Sequence, residues 1–309
     1  MPALLLLAVT FPVLFWQENV DTRAELQKAD IRHIAVPSAQ LPHWRSVSGL
    51  QVDPVEITSA VKLPDPGVAF QEDEASASHI PWVTSNGWHF LRQPKARFYY
   101  DTPANAVTLA AAEAFSFGGA AFIHTGVDGL QPFADFLKFL TQINSQEASP
   151  IADIGVVDDD SNASGEILNL MVRDNLLFQI VRASGITYKL TVKLGSKPYS
   201  GLKDADAIVH KIRSDLSDAK RSVRLFGTSV VIAHLTGDRN HPRLHLLNYG
   251  APAHVRVGGF RVRLLARYAK AQIHSFEMPG EKLLDYESNQ EATEFTVPEL
   301  KTYAVVDLQ

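Results

Sequence analysis

Short apolar runs of strand length alternate with helix-period stretches as far as about Lys220, and that alternation limits the available folds more than any other feature of the chain. The strand candidates are "VLFWQE" (13–18), "HIAVP" (33–37), "LQVDPVEI" (50–57), "IPWVTS" (80–85), "RFYYD" (97–101), "AAFIHT" (120–125), "DIGVVD" (153–158) and "YKLTVKL" (188–194). Helical patterns fall between them. Residues 22–29 follow Asp21 as an N-cap, and "PANAVTLAAAEAFSFGG" runs from Pro103 to Gly118–Gly119, with the proline and glycine punctuation of a helix. "LQPFADFLKFLTQI" sets Leu130, Phe133, Phe136, Leu137 and Leu140 on one stripe. Residues 166–181 and 205–216 read as further helices, the first with a break near Asp174–Asn175. Residues 58–79 read as a long loop.

Strands that alternate with helices predict parallel pairing and right-handed crossovers. Eight such units close into a (β/α)8 barrel, so residues 13–222 are expected to form a TIM-like barrel. The rival is a split near Pro150, with an incomplete barrel before it and a doubly wound α/β domain after it. Beyond about Arg221 the rhythm changes to strands separated by Gly, Pro, Asp and Asn. There Val255, Val257, Val262 and Leu264 alternate as in half-buried antiparallel strands. Residues 223–309 are expected to form a β-sandwich, with Arg256, Arg261, Arg263 and Arg267 on its solvated face.

Composition excludes several chemistries. The chain has 309 residues, 46% of them apolar and 20% charged, and a formal net charge of −5. That balance suits a globular protein and gives no electrostatic reason to expect nucleic acid. Cysteine is absent, which removes disulfides, thiolate catalysis and cysteine-based zinc sites. "MPALLLLAVTFPVLFWQ" is apolar enough for the core of an export signal, although no Lys or Arg precedes it. It reads as a signal segment over 1–12, with a secreted or periplasmic destination, or as the approach to the first core strand, with a cytoplasmic one. It is too short for a comfortable membrane span, and no other segment suggests an integral one. The sequence implies no cofactor and leaves the oligomeric state open.

Three aspartates end one of the strands, in "IADIGVVDDDSN". The stretch "IGVVDDDSNASGEILNLMVRDNLLFQIVRASG" resembles the opening of a response-regulator receiver domain. In that family the acids hold Mg2+ beside an acceptor Asp on the third strand. Here Lys193 or Gly195 falls near the acceptor position, so phosphotransfer lacks its chemistry. "DDDSN" also resembles the nucleophile motif of haloacid-dehalogenase-type phosphatases, but Asn162 stands where that motif has Thr or Val. No P-loop, dinucleotide glycine motif, His-Glu-x-x-His or nucleophile elbow is present.

On a barrel, the ends of the strands carry the active site. That rule gathers Glu18, Asn86, Asp101, His124, Asp158 and Asp159 at one rim, with Trp82, Trp88 and Tyr99 close by. Carboxylates beside aromatic faces suit carbohydrate, because sugar C–H faces stack on rings while acids handle hydroxyls and the glycosidic oxygen. "FYYDTPANAVTLAAAEAFSFGGAAFI" resembles a strand–helix–strand unit of barrel-type glycoside hydrolases. "ATEFTVPELKTYAVVDL" resembles the closing strands of the β-sandwich that such enzymes carry. The resemblance implies a carbohydrate ligand and hydrolysis by a carboxylate pair, with Asp101, Asp158 and Glu18 as candidate acids. Trp82, Trp88, Tyr99, Asn86, His124 and Asp159 are then the expected sugar contacts. The family's usual strand-four Asn-Glu pair is replaced by "SNG" (85–87), so a non-catalytic glycan- or protein-binding member of the same fold is the alternative. Asp101 and the triplet also suit helix capping.

Overall fold

The computed structural model describes residues 11–70, 81–143, 149–182, 186–200 and 204–309. Residues 1–10, most of the expected signal segment, lie outside them. The chain divides into two compact units, Met1–Asp65 with Gln93–Glu147, and Pro66–Arg92 with Ala148–Gln309.

The first unit is built on a six-stranded sheet in the order Gln51–Val55, His33–Pro37, Val13–Phe15, Ala120–His124, Arg97–Asp101 and Val61–Leu63. Every pairing in it is parallel. Side chains alternate across the strands, so the sheet has two chemically distinct faces. One face carries Leu14, Ile34, Val36, Phe98, Tyr100, Ala121 and Ile123, all buried. Burial of each large side chain of this kind contributes about 1.5–3 kcal/mol. Phe133, Phe136 and Leu140 are the buried stripe of the helix Leu130–Gln142, as their spacing predicts. The alanine-rich helix Val107–Ser116 is buried along most of its length. It contains Glu113, whose buried carboxylate accepts a hydrogen bond from the Tyr100 hydroxyl at 2.8 Å. The opposite face of the sheet has a small apolar cluster of Phe15, Ala35, Val55 and Tyr99. Polar groups follow toward the strand ends.

The second unit contains a three-stranded parallel sheet, with Ile154–Val157 between Phe178–Ile180 and Leu190–Lys193. Two four-stranded antiparallel sheets follow. In one of them Phe260, Val262, Leu264, Phe295 and Val297 are buried, while Arg261, Arg263 and Glu294 between them form ion pairs. The alternation seen in the sequence is therefore real. Polar contacts join the parallel layer to the antiparallel strands. Asp153 accepts from the Ser222 backbone at 2.7 Å and from its hydroxyl at 2.6 Å, and Lys189 Nζ lies 2.8 Å from the same carboxylate. Asn175, in the left-handed region at φ 54, pairs its side-chain amide with the Ala233 N–H and the Val231 carbonyl. It thus substitutes for a missing strand neighbour.

The mixed α/β architecture and the parallel pairing match expectation at that coarse level. Among the described residues, however, the parallel strands form two sheets in two units and no closed barrel. Pro81–Thr84, expected in the ring, instead pairs antiparallel with Gly67–Phe70. The helix read over 166–181 ends at Arg173, and Phe178–Ile180 is a strand. No helix of the described residues is long and apolar enough to cross a membrane.

His234 and His245 are cross-strand partners in the second antiparallel sheet, and both are buried. His245 is hydrogen-bonded through Nδ1 to the Tyr303 hydroxyl at 2.7 Å and through Nε2 to Thr236 at 3.0 Å. Burial lowers His234 from 6.5 to about 3 and His245 well below 6.5. Below pH 6.5 the unfolded chain therefore binds protons that the folded chain refuses, and stability falls as the pH falls through that window. Each histidine contributes a slope approaching about 1.4 kcal/mol per pH unit. Urea denaturation at about pH 7 and about pH 5 is expected to show a clear drop in midpoint. An unchanged midpoint would contradict the buried neutral pair.

Candidate functional site

The sequence-predicted residues fall into two sets, one in each unit. In the first unit the parallel register places Asp101 directly beside His124, at the C-terminal ends of adjacent strands. His124 Nδ1 lies 2.8 Å from Asp101 Oδ1, and Lys62 Nζ lies 3.7 Å from Oδ2. Asp101 stays about half exposed (47%), so the carboxylate is oriented by its partners but open to solvent. The hydrogen bond from His124 holds its pKa below the usual 3.8; burial, the next largest effect, opposes it, and the charges of His124 and Lys62 add to the lowering. At neutral pH it is a carboxylate, suited to act as a base or nucleophile rather than as an acid.

Tyr99 lies two residues earlier on the same face of the strand. Its ring meets Phe15 edge-on at 5.7 Å, and its hydroxyl accepts from the Gln17 amide at 3.2 Å. Burial first, and the charge of Asp101 second, raise the Tyr99 pKa, so its hydroxyl stays protonated. Gln17 thus shares Tyr99's side of the sheet, and its neighbour Glu18 is exposed just beyond the strand. The site also contains Lys62, in a segment read as loop from the sequence. Nothing local marks it: only the pairing of Lys62 with Tyr99 across adjacent strands brings it there.

The second set surrounds the triple aspartate. Asp158 is buried (3% exposed) and grips Arg92 at 2.6 Å and 3.1 Å through its two oxygens. Arg92 also donates to the Ser161 carbonyl at 3.0 Å. Asp159 turns back to accept from the Ser161 N–H at 3.0 Å. Hydrogen bonds from the Ser164 hydroxyl and from Ser161 lower it to about 2. Its carboxylate rests against Gly195, where a Cβ would come within 2.6 Å of Oδ2 at a φ of +72. Asp160 is exposed in the left-handed region, and Ser161 caps the helix Asn162–Arg173 through Ser164 N at 3.1 Å. The loop is thus held by its own polar groups.

Asn86 is buried where the helix Gly87–Arg92 begins, next to Ser85, whose hydroxyl lies 2.9 Å from that of Tyr249. Trp88 packs onto the helix Asn162–Arg173 at Gly165, where a Cβ would lie 3.1 Å from the ring. Trp82 is 49% exposed and carries Arg173 over its ring. No cluster of three or more His, Asp or Glu side chains that could hold a metal occurs among the described residues.

No family model and no curated protein matches the sequence. Solved structures do match. An alpha-L-fucosidase isoenzyme 2 from Paenibacillus thiaminolyticus superposes with a TM-score of 0.55 at 10% identity, over 81% of this chain and 65% of that one. A beta-galactosidase from Bacillus circulans sp. alkalophilus gives a TM-score of 0.41 at 9% identity, over 93% and 65%. The chain has a glycoside-hydrolase-like fold. It spans somewhat under two thirds of the length of either neighbour.

The two carboxylates differ in what their removal should cost. Breaking a buried bidentate pair leaves an uncompensated charge, typically about 3–5 kcal/mol. Arg92→Met is therefore expected to lower the unfolding free energy by about that amount, and Asp101→Asn by less than about 1 kcal/mol. Equal losses in chemical denaturation would contradict the assignment of Asp158 to structure and Asp101 to an open site.

Proposed function

We propose that the protein is carbohydrate-active, a glycoside-hydrolase-like chain whose reacting carboxylate is Asp101. The observation that carries this reading is the pairing of a half-exposed, ionised Asp101 with His124 and Lys62 at the strand ends of a parallel sheet. Tyr99 stands on the same face beside it, its ring backed edge-on by the buried Phe15, and the parallel sheet of the first unit is the part of the fold we read as TIM-like. Hydrolysis needs a second carboxyl. Glu18, just past the strand Val13–Phe15, is the candidate in the same unit. One strand separates its own from that of Asp101, and the register sets Phe15, three residues before Glu18, level with Asp101. A carboxyl separation of about 6.5–9.5 Å on sugar binding would leave room for a water and invert the anomeric centre. In this scheme Asp101 activates water as the base and Glu18 protonates the leaving oxygen. His124 and Lys62 keep Asp101 deprotonated. Asp158 positions the loop through Arg92. Asp159, Asn86 and Trp88 shape the same part of the second unit, and Trp82 offers it a sugar-stacking surface.

A second reading, sugar binding without hydrolysis, is favoured by the Arg92 pair, which occupies the carboxylate of Asp158. One set of assays separates the two. The 4-nitrophenyl glycosides, starting with alpha-L-fucoside on the strength of the fucosidase fold, are expected to be hydrolysed. Asp101→Asn should lower kcat about a hundredfold or more. Hydrolysis that survives Asp101→Asn would sink the catalytic assignment. Binding of a sugar without turnover, lost on Asp101→Ala, would establish the second reading instead.

A further inference from the structure

Ser217 ends the helix Ala205–Leu216 at φ 62 and ψ 142, a backbone conformation that glycine adopts freely and other residues avoid. Its N–H is spent on the helix end, bonded to the carbonyls of Arg213 and Ser214. Its hydroxyl has no partner among the described residues. The chain thus carries a strained serine where glycine would make the same turn at lower cost. Strain of this kind persists where the side chain serves a function.

Ser217 lines an open hollow of about 290 Å³, together with His210, Arg213, Ser214 and Asp218. That is the small end of the range for small-molecule sites, which starts at about 300 Å³. Asp218 has little accepting capacity to spare. Arg213 grips its two oxygens at 3.0 Å and 2.9 Å, and Arg221 donates to Oδ1 at 3.1 Å. The bond from Arg213 above all holds the carboxyl well below its usual range. What the hollow leaves open is a set of donors. Among the described residues, Arg213 Nη1 and the Ser214 hydroxyl have no partner either, and His210 engages only Asp206, through Nε2 at 3.3 Å. None of these atoms is sealed from solvent. His210 and Ser214 are exposed, one helical turn apart.

We infer that this hollow binds the phosphate or sulfate group of a small molecule. The oxygens of that group accept from Arg213 Nη1 and from the two serine hydroxyls, and their charge strengthens each bond. Asp218 already fixes the direction of the guanidinium, so binding costs little side-chain freedom. The negative end of the helix dipole opposes an anion here, and the full charge of Arg213 outweighs it. The hollow lies in the second unit and shares no residue with the proposed hydrolytic site, so each stands or falls by itself.

Isothermal titration of the full chain tests this with glucose 6-phosphate, glucose 6-sulfate, glucose and sodium phosphate. At least one ester is expected to bind, and glucose about tenfold more weakly or not at all. The tighter ester identifies the anionic group. Sodium phosphate binding as tightly as the esters would assign the hollow to the free anion. Ser217→Gly is expected to raise the thermal midpoint by a few degrees while it weakens binding several-fold. Ser214→Ala should weaken binding several-fold in a chain that still melts normally, and Arg213→Gln about tenfold or more. The proposal is overturned if neither the esters nor phosphate bind, if glucose binds as tightly as the esters, or if binding survives both serine substitutions in folded chains.

Discussion

Asp101 and His124 meet because the strands Arg97–Asp101 and Ala120–His124 run parallel and in register to their last residues. Parallel pairing requires a crossover, and the helix Val107–Ser116 lies in the segment that joins the two strands. One helix-covered face, bearing Tyr100 and Phe98, takes the apolar residues. The other is left to Tyr99 and Asp101, at the alternate positions. A slip of one residue would exchange the two faces. It would bury Asp101 beneath the helices and expose Tyr100, so the same register that makes the core also makes the site.

The second unit answers a different problem: how a small parallel layer is tied to antiparallel sheets. Its contacts are polar, with Asp153 held by Ser222 and Lys189, and Asn175 completing the edge of Val231–Gly237. Each replaces backbone or solvent contacts that folding removes, and such groups are costly to leave unmade. Arg92 and Asp158 work in the same way at the end of Ile154–Val157. The triple aspartate, which alone suggests magnesium and phosphate, resolves into three separate duties. Asp158 holds an arginine, Asp159 folds back on the helix start, and Asp160 makes the turn.

Much of the fold was legible because period and punctuation are local. The strands at 33–37 and 97–101 and the helix at 205–216 have the same bounds in sequence and structure. What was not legible depended on partners. Leu284–Ser288 is a strand only because Thr293–Leu300 lies beside it, and its own residues are largely exposed and polar. "LLFQIV" continues a helical period until the strand Ile154–Val157 claims Phe178–Ile180. In the site, strand ends pointed to Asp101 and His124, but Lys62 and Gln17 reach it from distant segments. The partner of Asp158 stands 66 residues away in sequence, a distance over which no local pattern carries information.

The central claim is that sugar is met at the strand ends of the first unit, against the ionised Asp101. A crystal structure of the protein soaked with L-fucose or another bound monosaccharide examines it directly. The account predicts a sugar ring beside Tyr99 with a hydroxyl or its anomeric oxygen within hydrogen-bonding distance of Asp101 Oδ2. A sugar bound elsewhere, with Asp101 still facing only His124, Lys62 and water, would contradict it.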